Sequence, residues 1–382
     1  MHKWAWTSLC VLCLVAILFI TLTRVKVKNQ PPVENSLTVA EALGSSEATG
    51  YARATEIREF VFPLDHGPHH EFKTEWWYYT GNLFDENGRH FGYQLTFFRT
   101  ALTPHPTPRP SNWATHQAYM AHFALTDTKT GKFYYFERFS RSALGLAGAS
   151  AVPFRVWLED WGAEGDQLRT FPMRLSAQEG EVAIDFNLES TKPMVLQGQK
   201  GLSQKSSQPG NASYYYSITR MPTFGKVKIS NQTFTVRGTS WLDREWSTSA
   251  LGEDQVGWDW FSLQFNDGRE LMYYQLRRQD GTADPFSSGL LVEKNGSIRQ
   301  LTASDVEIQV LDFWRSPESG ATYPSKWAIL IANEDMKIEI TPRLAHQELN
   351  TSIRYWEGAV SARGSFSDRT LLGNGYVELT GY

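Results

Sequence analysis

Residues 238–277 place several carboxylates among large aromatic side chains. Asp243 and Glu245 stand close to tryptophans, and Asp259 stands directly between two of them. A carboxylic acid in apolar surroundings keeps its proton near neutral pH, because desolvation disfavours the charged form. Such an acid can protonate an alkene carbon, and dry aromatic faces stabilise the resulting cation by about 1–2 kcal/mol per contact. We therefore take Asp259, Asp243 and Glu245 as candidate catalytic residues.

The same segment predicts a β-hairpin, because Asp267-Gly268 suits the positive φ angles of a tight turn. With these two residues as the turn, period-2 alternation puts Asp259 on a mostly apolar face. Neither face is typical of solvent surface, which favours a barrel wall with a filled or ligand-lined interior. The apolar companions of Asp259 on its face are then Phe261, Leu263, Phe265, Met272, Tyr274 and Leu276. The candidate ligand-binding aromatics of the segment are Trp246, Trp258, Trp260, Tyr273 and Tyr274.

Structural roles for the same carboxylates remain open. Asp259 can bond backbone N–H groups at a strand end while the tryptophans fill the core, since structural carboxylates outnumber catalytic ones. Asp243, Arg244 and Glu245 can equally form a surface turn with a salt bridge.

A second cluster lies upstream, where three histidines within five residues precede Glu75-Trp76-Trp77. No carboxylate at helical or hairpin spacing completes a metal-ligand set, so we expect no metal site. The pattern instead favours a bond from His69 to a carboxylate such as Glu75. His69, Glu75, Trp76 and Trp77 are further candidate ligand-binding residues, with a barrel-closing plug as the alternative role of Glu75.

Composition limits the classes of function. The net charge is −4 and no basic stripe occurs, which argues against a nucleic-acid partner. Both cysteines, Cys10 and Cys13, lie in the N-terminal apolar run, so the remaining chain has no thiol nucleophile and no disulfide. The sequence contains no Gly-x-Ser-x-Gly elbow, which argues against a serine hydrolase of that type. Gly131-Lys132 lacks the Ser or Thr of a phosphate loop, and we expect no cofactor.

The apolar run from Trp4 to Thr23 follows Lys3 and resembles a signal peptide or a signal anchor of residues 1–28. Basic residues at 24, 26 and 28 would tend to keep its far end in the cytoplasm. We nevertheless expect export, with the globular part extracytoplasmic, periplasmic or secreted, and possible anchoring to the membrane by residues 4–23. Residues 29–56 are polar and predict a linker.

Many short alternating segments separated by Gly-containing turns predict an all-β protein with little helix. Residues 197–210 are rich in Gln, Ser and Gly and indicate an inter-domain linker. Glu75-Trp76 and Glu245-Trp246 each precede a hairpin signal, a faint echo of duplication. We expect two tandem antiparallel barrels, at 57–205 and 211–382, because closure removes exposed strand edges.

The sequence resembles the AttH-like, lipocalin-like family, which includes carotenoid 1,2-hydratase (hydroxyneurosporene synthase) and exported proteins described as secreted hydrolases. The resemblance runs from about residue 58 to the C-terminus. It is carried by the strings DHGPHHEFKTEWWYYTGNL, GYQLTFFR, YYYSITRMPTFG, GTSWLDREWS, GWDWFSLQFNDGRELMYYQLR, YWEGAVSARG and GYVELTGY.

The resemblance implies tandem lipocalin-like barrels and an apolar ligand, isoprenoid or lipid-like. The hydratase branch usually has His where this chain has Arg244, which is a departure from its pattern. A related lipocalin-like group catalyses intramolecular cycloadditions. Two classes of function follow: a hydratase-like or cyclase-like enzyme, and a non-catalytic carrier of lipids or pigments at the cell envelope. The oligomeric state is not indicated by the sequence.

Overall fold

The computed structural model describes residues 37–38, 49–107, 109–249, 251–252 and 254–382. Within them the chain forms strands and three single-turn 3-10 helices, at Leu64–His66, Ala143–Gly145 and Ala332–Glu334. The expectation of an all-β fold is confirmed. The strands are β1 (Leu37–Thr38), β2 (Thr74–Asp85), β3 (His90–Ala101), β4 (Gln117–Asp127), β5 (Lys132–Arg141), β6 (Ala147–Ala151), β7 (Phe154–Leu158), β8 (Trp161–Asp166), β9 (Arg169–Glu179), β10 (Val182–Leu188), β11 (Val195–Leu196), β12 (Leu202–Gln204), β13 (Ala212–Ile229), β14 (Gln232–Ser247), β15 (Gln255–Phe265), β16 (Glu270–Arg278), β17 (Ser288–Val292), β18 (Ile298–Thr302), β19 (Glu307–Arg315), β20 (Thr322–Ile331), β21 (Met336–Pro342), β22 (Glu348–Asn350), β23 (Ile353–Phe366) and β24 (Arg369–Leu379).

The first sheet has the order β5-β4-β3-β2-β14-β13-β10-β9-β8-β7-β6, with β11 and β12 added to β13. It curves back on itself, since β5 at one edge approaches β6 and β7 at the other. Arg138 of β5 reinforces this closure by ion pairs to Asp160 and Glu179 and by stacking over Trp161. The enclosed core is apolar and contains side chains from β2 through β14.

The second sheet has the order β18-β17-β16-β15-β24-β23-β21-β20-β19, with β1 and β22 added to β23. Its two ends also converge. Leu301 of β18 shares a core with Ile329 of β20, and Arg299 pairs with Glu334. Both sheets belong to one compact unit, residues 37–382.

The change from the first sheet to the second comes after Ser247, later than the boundary expected at 205–211. Strands β13 and β14 lie inside the first sheet, and β14 pairs with β2 along its length. The expected linker contributes β12, which pairs with β13 from Leu202 to Gln204. Its polar composition reflects tight turns at the sheet surface and not a free connection between domains.

The two Glu-Trp pairs are neighbours in one sheet and not equivalents in two barrels. Glu75 lies directly opposite Trp246, and Trp76 opposite Glu245, on the antiparallel strands β2 and β14. The echo that suggested duplication therefore marks a cross-strand pairing.

Candidate active site

A pocket with about 730 Å³ of empty space, its open mouth included, lies between the outer faces of the two sheets. The first sheet supplies residues from β2, β3, β13 and β14, and the second from β15, β16, β23 and β24. The site is thus built where the barrels meet, whereas the sequence suggested a barrel interior. Its lining consists of Trp76, Tyr78, Phe98, Lys205, Tyr215, Asp243, Glu245, Trp258, Trp260, Tyr274, Leu276, Tyr355 and Glu378.

Alternation along β14 divides its residues between the pocket and the first core. Asp243 and Glu245 line the pocket, while Leu242 and Trp246 pack in the core of the first sheet. Successive side chains of a strand point to opposite faces, so this division follows directly from strand geometry. All of Asp243, Arg244 and Glu245 are buried in a regular strand. The surface-turn interpretation of these three residues is therefore wrong.

The register of β15 and β16 puts Trp258 and Trp260 on the pocket wall. Trp260 lies opposite Tyr274, and Trp258 opposite Leu276. The connection between β15 and β16 has three residues, 266–268, since the Phe265 N–H donates to the Arg269 carbonyl and closes the loop. Within this loop Gly268 takes φ +92°. A three-residue loop with a residue in the left-handed region is a common connection in β-hairpins, and here it replaces the predicted two-residue turn.

One extra turn residue shifts the pairing by one position and exchanges the faces. Asp259 therefore faces away from Met272, Tyr274 and Leu276, which the sequence analysis had placed beside it. Its carboxylate accepts hydrogen bonds from Arg277 Nε at 3.0 Å and from the hydroxyl of Tyr382 at 2.9 Å. Burial raises the pKa of Asp259, with Arg277 opposing the shift. The expected solitary acid is thus a paired group outside the pocket.

Asp243 is a pocket carboxyl whose hydrogen-bond partners among the described residues are all neutral. Ser217 Oγ at 2.6 Å and Trp241 Nε1 at 2.7 Å donate to it, as does the hydroxyl of Tyr215. Burial raises the pKa of Asp243 to about 7, although these three hydrogen bonds act in the opposite direction. Asp243 consequently exchanges a proton near neutral pH.

Glu378 and Glu357 form a second carboxyl site. They lie opposite each other on β24 and β23. Trp258 Nε1 donates to Glu378 at 2.7 Å, and the hydroxyl of Tyr78 donates to Glu357 at 2.5 Å. Burial raises the pKa of Glu378 to about 7, and burial with the charge of Glu378 raises that of Glu357 well above its usual range. The pair therefore holds a proton near neutral pH.

Glu245 differs from these carboxyls because it has a cationic partner. Lys205 Nζ lies 3.2 Å from its carboxylate and 4.0 Å from the centre of the Tyr274 ring. Burial alone would lower the pKa of Lys205, but Glu245 and Tyr274 together outweigh burial and the pKa rises. This corner of the pocket is a compensated ion pair.

A separate buried ionic cluster, which we call the Glu75 cluster, comprises Glu75, His69, Arg99 and Arg244. Glu75 accepts hydrogen bonds from both arginines and from the backbone N–H of His69 at 3.1 Å. Burial would raise the pKa of Glu75, but the two arginines hold it well below the usual range. The predicted bond between His69 and Glu75 is confirmed, since His69 Nδ1 lies 3.3 Å from the carboxylate.

The Glu75 cluster is covered by aromatic rings on the inner side of the first sheet. His69 stacks on Trp246 with ring centres 3.7 Å apart, and the Arg244 guanidinium lies 3.9 Å from the Trp77 ring centre. Glu75, Arg99 and Arg244 are paired within the cluster, and none of its four residues lines the pocket.

The comparisons with known proteins settle the family. The sequence profile described as AttH-like matches residues 53–382. The chain belongs to the AttH-like family. A candidate AttH from Nitrosomonas europaea has a solved structure that is 33% identical, with a TM-score of 0.76, covering 87% of this chain and 99% of that one.

Two more distant structures share the fold of this AttH-like chain. Kievitone hydratase from Nectria haematococca is 14% identical with a TM-score of 0.65, covering 86% of this chain and 96% of its own. CghA, solved with Sch210972, is 12% identical with a TM-score of 0.51, covering 90% and 97%. At these identities the likeness concerns the fold, which is the lipocalin-like fold expected from the sequence. Among curated proteins, none matches the chain significantly.

The pocket of this AttH-like protein gathers half of the residues chosen from the sequence. Those in its lining are Trp76, Asp243, Glu245, Trp258, Trp260 and Tyr274. The others lie in the Glu75 cluster, its aromatic cover or the second core, and they are His69, Glu75, Trp77, Trp246, Asp259 and Tyr273.

Sequence reasoning missed Glu378 and Glu357, although both stand in strings that carried the family resemblance, GYVELTGY and YWEGAVSARG. Alternation in β24 puts Tyr376 and Glu378 on one face, which was a usable signal. It also missed Lys205, hidden in the supposed linker. Pocket residues with no assigned role beforehand are Tyr78, Phe98, Lys205, Tyr215, Leu276, Tyr355 and Glu378.

The expected membrane or signal segment at residues 4–23 lies outside the described residues. Among those that are described, no helix is long and apolar enough to cross a bilayer.

Proposed function

We propose that this AttH-like protein binds an apolar unsaturated ligand, isoprenoid or lipid-like, between its two barrels and adds water to an alkene. The observation that carries the proposal is the state of Asp243 and Glu378. Both carboxyls line an aromatic pocket, both have a pKa raised to about 7, and neither bonds a cation within the described residues.

The Glu357–Glu378 pair supplies the acid. Like charges on facing carboxyls disfavour double ionisation, so one proton stays with the pair at neutral pH. Glu378 reaches the pocket and delivers that proton to an alkene carbon, after which the pair takes up a new proton from solvent. A pKa near the working pH suits this role, because the group is protonated and still a competent donor.

The pocket walls favour the cation that protonation creates. Trp260 meets Tyr78 edge-on at 5.1 Å, and Trp76, Trp258 and Tyr274 complete an electron-rich lining. Each face contributes about 1–2 kcal/mol to a desolvated cation. The carboxylate form of Asp243 adds an opposite charge and an acceptor that can hold the attacking water.

A carrier would need no unpaired acid. Burying a carboxyl without a cation destabilises the fold, and a protein that only holds lipid has no use for that cost. Glu245, neutralised by Lys205, is the arrangement expected of a carrier; Asp243 and Glu378 depart from it. The fold likeness to a protein named kievitone hydratase agrees with water addition.

The test uses full-length protein with squalene and lycopene as probes in D₂O. Hydration forms a C–D bond and a C–O bond, so the product gains the mass of D₂O and keeps one deuteron after washing in H₂O. Glu378→Gln should lower the rate by about a hundredfold or more, while Glu293→Gln, a surface carboxylate paired with Arg269, serves as the matched control. Recovery of both probes unchanged, with bound lipid extracted intact from the protein, would establish a carrier.

A further inference from the structure

Tyr355 connects the pocket to a buried histidine that no step above uses. Its side chain lines the pocket, and its hydroxyl oxygen lies 2.7 Å from His122 Nδ1. The other ring nitrogen of His122, Nε2, lies 3.0 Å from Glu137 Oε1. His122 is fully buried, whereas the Glu137 side chain is 16% exposed. Three side chains in hydrogen-bond contact therefore run from the pocket to the protein surface.

We infer that Tyr355, His122 and Glu137 form a proton relay, through which the water that adds to the alkene releases its proton to solvent. Tyr355 is the catalytic residue of this relay because it faces the ligand. His122 and Glu137 are positioning residues that act through it. The inference rests on the proposed function for the reaction, but the relay geometry stands independently of the ligand.

The order of the hydrogen bonds decides the direction of transfer. Burial would raise the pKa of Glu137, but hydrogen bonds from His122 and Ser352 hold it below the usual range, so Glu137 is an acceptor. Ser352 Oγ fixes the carboxylate at 2.6 Å. An ionised Glu137 favours the tautomer of His122 with its ring hydrogen on Nε2, and in that tautomer Nδ1 accepts the Tyr355 hydroxyl hydrogen.

The proton balance closes without any added reactant. As the water oxygen bonds the cationic carbon, one of its protons passes to the Tyr355 oxygen while the Tyr355 proton passes to His122 Nδ1. The imidazolium gives its Nε2 proton to Glu137, which releases it to solvent. After product release, transfer in the reverse direction, from Glu137 through His122 and Tyr355 to water in the pocket, restores the Nε2–H tautomer. Glu378 regains a proton from solvent, so the net reaction consumes one water and one alkene.

The relay spans both sheets. His122 and Glu137 belong to β4 and β5, whereas Tyr355 belongs to β23 and Ser352 immediately precedes it. A buried histidine can also owe its bonds to the need to satisfy polar groups, as with His90, whose Nε2 lies 2.8 Å from Asn82. His90 does not line the pocket and is the matched control.

The first measurement needs no substrate. Full-length protein labelled with ¹⁵N-histidine should show His122 as the Nε2–H tautomer by NMR, and Glu137→Gln should weaken that preference. An Nδ1–H tautomer in the wild-type protein would overturn the relay, because the histidine would then donate to Tyr355. This result would leave the hydratase proposal untouched.

The second measurement uses the squalene and lycopene assay. Tyr355→Phe and His122→Asn should each lower kcat by about a hundredfold with KM changed little, and Glu137→Gln by about tenfold. Tyr135 does not line the pocket, and its hydroxyl donates to Glu318 at 3.3 Å. Tyr135→Phe and His90→Asn should therefore leave kcat within about twofold. If the relay variants instead show a raised KM and a lowered unfolding temperature with kcat preserved, these residues have a structural role only.

Discussion

Glu357 and Glu378 face each other across β23 and β24, the Tyr78 hydroxyl and the Trp258 indole donate to them, and no cationic side chain among the described residues bonds either one. Two carboxyls at such a site resist losing both protons, since the second charge would form beside the first in a dry environment. The apposition costs stability whenever the pair ionises. A fold that keeps it must benefit from the acid.

Stability should fall as pH rises through neutrality. The folded-state pKa values of Asp243 and Glu378 are raised to about 7, above those of the unfolded chain. Their contribution is therefore fully present below the unfolded pKa and is lost as pH rises through about 7. The loss per group should reach about 3–4 kcal/mol. Urea unfolding from about pH 4 to about pH 8 measures it.

The two amide variants provide the control for this pH dependence. Asp243→Asn and Glu378→Gln cannot ionise, so each should flatten part of the decline and be relatively more stable at the alkaline end. An unchanged slope in both variants would show that other groups cause the decline.

The Glu75 cluster should be decisive for folding. Glu75→Gln leaves Arg99 and Arg244 buried without a counter-charge, which should cost about 3–5 kcal/mol of unfolding free energy. Because the pKa of Glu75 is lowered, its contribution should disappear as pH falls through that lowered value. Chemical denaturation at neutral and acidic pH checks both statements.

Glu164→Gln is the comparison for that experiment. Its carboxylate is about half exposed (46%) and lies 3.7 Å from Arg174, so its removal should change stability by at most about 0.5 kcal/mol. Similar small effects at both positions would contradict a central role for the Glu75 cluster.

Asp259→Asn should affect stability and spare turnover. Asp259 bonds Arg277 and Tyr382 on the far face of β15, so the substitution weakens a buried ion pair by about 3 kcal/mol. Turnover of squalene or lycopene should stay within about threefold of wild type, in contrast to Glu378→Gln. A hundredfold loss of turnover with an unchanged melting temperature would return Asp259 to the catalytic group.

Location outside the cytoplasm is a further prediction, based on the apolar run of residues 4–23. Alkaline phosphatase fused after residue 60 should be active, and a reporter that works only in the cytoplasm should be silent at the same point. The reverse pattern would show that the basic residues at 24, 26 and 28 retain the chain inside.

The sequence predicted the all-β fold because alternation and turn residues are local signals. Asn87-Gly88, for example, joins β2 to β3 as expected, with Gly88 at φ +76°. The boundary between the two sheets could not be predicted from the sequence. Residues 212–247 form β13 and β14, and β14 pairs with β2 of the first sheet. Their local sequence would look the same if these two strands began a new barrel.

About half of the site residues could be predicted from the sequence, for the same reason. Composition identified Asp243, Trp258 and Trp260, but assigning Asp259 required the turn length, and a single residue in that turn reverses the face. Glu357 and Tyr355 reach their partners in the site, Tyr78 and His122, only because β23 packs beside the first sheet. Contacts between strands that are distant in the chain leave no trace in local periodicity.

The placement of the pocket on the outer walls of two closed cores has an evolutionary consequence. A cavity hollowed from a single core makes every change of its lining a change of packing, with the associated loss of stability. Here each barrel retains its own interior, as with Trp77 and Trp246 beneath the Glu75 cluster. Lining residues can therefore change without repacking either barrel interior, and one scaffold can acquire new ligands by substitutions on surfaces that face each other.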